Sequence, residues 1–177
     1  MPPWTIELRV GDTEMIGFAA GYGLREESDL TGFARNLPEG VTICSPLLVA
    51  GISHIEGILK QAAEYWNRKI QLARNKSIDL LMRISCRRQI SEAVELSGLR
   101  KTSSLVAFGI VPTTKDVESQ LEELSSKLGA ERSDSLIDLN QEKVKFLKEV
   151  HSLPEWMNED QISPILLERS VLLVFSK

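Results

Sequence analysis

Cysteine, histidine and aromatic residues are all scarce here: two Cys, two His and ten Phe, Trp and Tyr in 177 residues. Cys44 and Cys86 cannot form a disulfide scaffold, a CxxC redox pair or a zinc-type pair, so both are expected to be buried, reduced thiols. No apolar run approaches the roughly 18 residues that a bilayer-spanning helix requires. Glu7 and Arg9 interrupt the place where a secretory signal would be uniformly apolar. The expectation is a cytoplasmic protein with no membrane association. Pro and Gly are scattered rather than clustered, which excludes collagen-like and low-complexity classes. With 42% apolar residues the chain can bury a core, and its length suits one domain over residues 1–177.

The net charge of −4 hides an uneven distribution. Between Gly51 and Lys101 there are ten Lys/Arg against five acids, a net of +5, which leaves −9 for the rest. A chain polarised in this way can meet a polyanion with its middle while its flanks repel one. A pI near 5.3 argues against a general nucleic-acid coat, and DNA is not expected as a partner.

Trp4 to Val10 alternates apolar and polar residues, and Gly11-Asp12 turns it into a second strand over Met15 to Gly23. A short helix is expected from about Asp29 to Asn36, then a strand from Val41 that Pro46 must end or confine to an edge. Ile52, Ile55, Leu59, Ala62, Ala63 and Trp66 form the stripe of an amphipathic helix. Ser77 is the expected N-cap of the next helix. A third helix has Ile90, Ala93, Val94 and Ser97 facing inward and Gly98 as its stop. Leu105 to Val111 reads as a strand buried on both faces, ended by Pro112. Thr113 or Thr114 would cap a helix running to Gly129, Ala130 to Asp138 reads as loop, and Asn140 caps a helix that Pro154 stops. The final apolar segment is expected as a helix from Ser163 with Pro164 in its first position, although Val171 to Phe175 alone would suit a strand. These elements predict an α+β fold: one domain with a small, mostly antiparallel sheet packed against several helices.

The residues that could carry chemistry are few. Gly21-Tyr22-Gly23 lacks the third glycine and lysine of a phosphate loop and is read as a closely packed hairpin. His54 and His151 have neither the helical spacing of a zinc pair nor a nucleophile elbow nearby, and His54 is expected as a capping or core residue. The acid pairs Glu26-Glu27, Glu122-Glu123 and Glu159-Asp160 lie in polar surroundings and are expected to be solvated. No metal site and no cofactor is expected. One segment stands out: RISCRRQI gathers Arg83, Arg87 and Arg88 at the junction of two helices, where guanidinium forks could meet phosphate oxygens. A solvated basic turn is the competing reading.

The block SIDLLMRISCRRQISEAVELSGL, together with the preceding helix that opens at His54 and the closing ILLERSVLLVF, resembles the small kinase-binding subunit of the KEOPS complex, the TPRKB-like proteins. The likeness rests on His54, Leu80-Leu81, Arg88-Gln89-Ile90, Ala93-Val94, Gly98-Leu99, the strand from Leu105 to Val111, and Glu168-Arg169 with Leu172-Leu173. It covers most of residues 41–111 and about the last ten. Cys86-Arg87 stands where the family often has a small, Gly-type turn.

The resemblance implies an α+β accessory subunit with no catalytic centre. Such a protein binds and stimulates the PRPK-like kinase/ATPase and helps bring the tRNA acceptor (CCA) end to the machinery of threonylcarbamoyl-adenosine synthesis. On this reading Arg83, Arg87, Arg88 and Lys60 face RNA phosphates, and Leu166 and Leu172 face the kinase. The apolar excess of Ile165 to Phe175 suits such an interface, though full burial would explain it too. The alternative is a small phosphorylated-ligand-binding protein or enzyme built on Arg83, Arg87 and Arg88.

Overall fold

The computed structural model describes residues 2–176. Its centre is an antiparallel sheet in the order β1-β2-β4-β3, with β5 paired to the far end of β2. Strand β1 (Trp4–Val10) and β2 (Thr13–Ser28) form the expected hairpin, and β1 alternates between half-buried and exposed residues along its whole length. Strand β2 runs on through Arg25 to Ser28, past the anticipated end. Strand β4 (Thr102–Pro112) lies between β2 and β3 (Val41–Cys44), so both of its edges are paired and its apolar run needs no alternation. The edge strand β3 stops before Pro46, which opens a short 3-10 turn.

The pleat sends alternate residues to two cores. Ala19, Cys44, Val106 and Phe108 face helix α2 (Ile52–Asn67) and helix α3 (Lys76–Ser85), where Ile55, Ile58, Leu59, Ala62 and Ile84 are fully buried. Phe18, Ala20, Ile43 and Ala107 face the opposite way, toward the short α1 (Thr31–Arg35) and α5 (Val117–Leu128). Helix α1 buries none of its residues, so this second face is thinly covered. Behind α2 and α3, α6 (Gln141–Val150) and α7 (Glu159–Leu172) enclose a third cluster around Leu147, Ile162 and Leu166. At Gly57 a β-carbon would lie 2.5 Å from the Leu167 side chain, so any larger residue on α2 here would force Leu167 of α7 to shift.

Several local expectations change. Asn75, not Ser77, caps α3, accepting from the Ser77 and Ile78 amides, while Ser77 ties Gly40 and Pro38 to the helix. Asp116 rather than Thr113 or Thr114 caps α5. Residues expected as loop form β5 (Ala130–Arg132) and a 3-10 turn (Asp134–Ile137), which crosses β2 at Gly21, where a β-carbon would meet the Ser133 carbonyl at 2.3 Å. Helix α7 starts at Glu159 behind a reciprocal Asn158/Gln161 capping box, so Pro164 is interior and the segment through Leu172 is helical. In α4 (Ile90–Leu96) Ala93 is buried, but Ile90 and Val94, expected inward, are 45% and 39% exposed. Gly98 and Gly129 end their helices at positive φ, as expected.

Candidate functional site

The arginine junction is where the end of α3 meets the ends of α6 and α7. Cys86 closes α3 in a left-handed conformation (φ 52°), the turn that a glycine makes without strain. Its Sγ donates to the Leu166 carbonyl at 3.3 Å. This bend separates the three guanidinium groups instead of presenting them together.

Arg83 lies inside the protein, with no exposed surface. Its Nε donates to Asp79 Oδ2 at 2.6 Å across one helical turn, and its Cζ lies 5.0 Å from the centre of the Tyr65 ring. Asp79 also accepts from the Trp66 indole at 3.2 Å and from the Leu72 amide at 2.6 Å, which fastens the α2–α3 linker to the core. The expectation that Arg83 faces RNA is therefore corrected: a guanidinium in a buried ion pair cannot reach a phosphate. The overlooked signal was the spacing of four between Asp79 and Arg83.

Arg87 is half-buried and donates from Nη2 to the Val150 carbonyl at 2.9 Å, at the C-terminal end of α6. Arg169 donates to the next carbonyl, that of His151. Arg88 is exposed, but its Nη1 donates to the Leu173 carbonyl at 2.5 Å, just past the end of α7. Helix C-termini leave carbonyls without amide partners and carry partial negative charge. Arg87, Arg88 and Arg169 supply cationic donors to those ends. The open three-arginine anion site on which the phosphorylated-ligand alternative was built does not form. Lys60 stands apart on the exposed face of α2, paired with Glu56 at 2.6 Å.

Burial holds His54, His151, Cys44 and Cys86 neutral. His54 is fully buried, its Nδ1 accepting from the Ala50 amide at 3.1 Å, and burial pushes its pKa down to about 3, helped by His151 and Lys143. His151 is lowered to about 4, first by burial and then by Arg87 and Arg169. Burial raises both Cys44 and Cys86 to about 12. These values suit neither a general base nor a thiolate nucleophile at neutral pH. Among the described residues no group of His, Cys, Asp and Glu is arranged to hold a metal ion, and no helix is long and apolar enough to cross a membrane.

Two surface features remain open. On and beside α7, Trp156, Leu172 and Phe175 are 77%, 51% and 70% exposed. Trp156 shares a shallow depression with Pro164 and Ile165 of that helix. Leu166 is fully buried against Leu147 and Ile162, so its expected role in a partner interface is corrected, while Leu172 is accessible as that role requires. The second feature is a 440 Å³ pocket at the β3 edge of the sheet, between α1, β3, α3 and α4. Within the basic middle of the chain, Lys69, Arg74, Lys76, Arg87, Arg88 and Arg100 have no carboxylate within 4.0 Å among the described residues. Asn75, between Arg74 and Lys76 in sequence, lines this pocket, as does Arg100. No protein-family model matches the chain, and no curated protein matches it.

Proposed function

We propose that the protein is a non-catalytic, cytoplasmic accessory subunit of a KEOPS-type assembly that binds and stimulates a PRPK-like kinase/ATPase and helps hold the tRNA acceptor end. The observation that carries the docking half is the pair Leu172 and Phe175, two large apolar side chains left in water at and just beyond the end of α7. Trp156 extends the same side of the molecule with an amphipathic ring of the kind enriched at interfaces. The RNA half draws on Arg88, Lys69 and Arg74, basic residues with no carboxylate within 4.0 Å among the described residues, on an otherwise acidic chain. The absence of a catalytic centre is consistent with histidines held neutral and thiols held protonated by burial.

The test is co-purification with the PRPK-like kinase of the same organism. A Leu172→Glu/Phe175→Glu variant should fold and lose at least tenfold in affinity, because it places charge where apolar side chains meet a partner. Unchanged kinase binding by this variant would remove α7 as the docking surface. A gel-shift comparison of intact tRNA with tRNA lacking CCA then tests the acceptor-end contact, with Arg74→Glu/Lys69→Glu expected to flatten its salt dependence.

A further inference from the structure

The two faces of the sheet are covered unequally, and two concavities, one on the thin side and one at the β3 edge, share Leu37. One, of about 510 Å³, lies between α1 and α5 and is floored by Phe18, Phe33 and Leu121. Its only lysine, Lys127, is paired with Glu123 at 2.6 Å, so it offers no free charge. The other, of about 440 Å³, lies between α1, β3, α3 and α4 and differs in three respects that together specify a ligand.

Its floor is aliphatic: Ile43, Leu81 and Leu99 are buried there, and no aromatic residue is among those that line it. A planar base would find no stacking partner, whereas a hydrocarbon chain would find methyl and methylene groups. Its mouth includes Ile90 and Val94, one helical turn apart on α4 and left 45% and 39% exposed. Covering them would remove from water the apolar surface that the fold leaves open. Its lining carries two guanidinium groups and no carboxylate: Arg35 from α1 and Arg100 from the turn after α4. Neither has a carboxylate within 4.0 Å among the described residues. Asp29, whose pKa is held down first by the Thr31 hydroxyl and amide that donate to its Oδ1 and only last by Arg100, does not line the pocket.

We infer that this pocket binds a small aliphatic anion, with the chain on Ile43, Leu81 and Leu99 and a carboxylate or phosphate head held between Arg35 and Arg100. The volume falls in the range of pre-formed small-molecule sites, about 300–1,000 Å³, and guanidinium forks match either head group. The inference is independent of kinase docking, because no residue of α7 lines the pocket.

The test is isothermal titration of the full-length protein with monomeric decanoate and decyl phosphate, with decanol and acetate as controls. Saturable one-to-one binding of either anion is expected, at least tenfold tighter than decanol or acetate, since each control lacks one half of the recognition. Arg35→Gln/Arg100→Gln should weaken the anion about tenfold or more and leave decanol unchanged. Val94→Trp, which enlarges a side chain that is 39% exposed in the lining of the pocket, should block both. The inference is overturned if neither anion saturates, if decanol binds as tightly as the anions, or if Val94→Trp binds like wild type. Thermal melts of both variants, expected to match wild type, separate loss of binding from loss of fold.

Discussion

Arg83, Arg87 and Arg88 belong to the same basic stretch as Arg100, yet the two ends of that stretch have opposite fates. At the α3 junction each guanidinium finds an acceptor within the protein: a buried carboxylate for Arg83 and helix-end carbonyls for Arg87 and Arg88. At the rim of the 440 Å³ pocket, Arg100 and Arg35 have no such acceptor and stay in solvent. Positive charge in a sequence window therefore says little about a polyanion until the orphan carbonyls of neighbouring helices have been counted. Three of the chain's arginines hold helix ends together, and a fourth keeps the α2–α3 linker in place.

The comparison predicts unequal costs. Asp79→Ala should be the most damaging single change, at roughly 3–5 kcal/mol by denaturant titration, because it strands the buried Arg83 charge and frees the Trp66 and Leu72 donors. Asp79→Leu/Arg83→Met should recover the part of that loss due to the stranded Arg83 charge, while the Trp66 and Leu72 donors stay unpaired. If the double variant is no better than Asp79→Ala, the ion pair is not the source of the cost. Arg87→Ala should cost about 1–2 kcal/mol by exposing the α6 end. Arg87→Glu would set a carboxylate against the Val150 carbonyl and loosen the α6–α7 corner, so a loss of RNA binding in that variant could not be read as a lost phosphate contact.

Protonation probes the same corner. His54 and His151 are neutral in the folded protein down to about pH 3 and 4, whereas the unfolded chain protonates them near 6.5. The unfolded state then binds more protons than the native state between these values, so stability is fully present above pH 6.5 and falls as the pH drops toward 4. A linkage of close to two protons is expected between about pH 6 and pH 4. His151→Gln should remove about one of them, and a slope unchanged by that variant would contradict the burial of His151 beside Arg87 and Arg169. The smallest effect belongs to the rim: Arg35→Ala and Arg100→Ala should each stay within about 0.5 kcal/mol of wild type, as exposed side chains without partners do.

Most of the architecture was legible because period and punctuation agree. The alternation of Trp4 to Val10, the stripe from Ile52 to Trp66, and the stops at Gly98 and Gly129 each reappear in the fold. The departures have local physical causes. Asn75 outcompetes Ser77 as a cap because its longer side chain reaches two amides while the Ser77 hydroxyl is engaged by Gly40 and Pro38. Pro164 is tolerated inside α7 on an exposed face, so composition near the end misplaced the helix start. Ile90 and Val94 obey helical periodicity, but no element among the described residues covers them fully. The site residues were less legible than the fold, because whether a guanidinium points inward depends on tertiary acceptors contributed by α6 and α7, far along the sequence.

The ladder between β2 and β4 joins Met15 to Pro112 and Ala20 to Ala107, with four α-helices and an edge strand in the intervening chain. The first hairpin can close in microseconds, but pairing at such sequence separation waits on loop closure and is intrinsically slow. During synthesis β2 therefore emerges with one long edge unsatisfied, and remains so until the ribosome has delivered the strand that will cover it. That interval, rather than any weakness of the finished core, is when nascent chains of this protein are most exposed to aggregation.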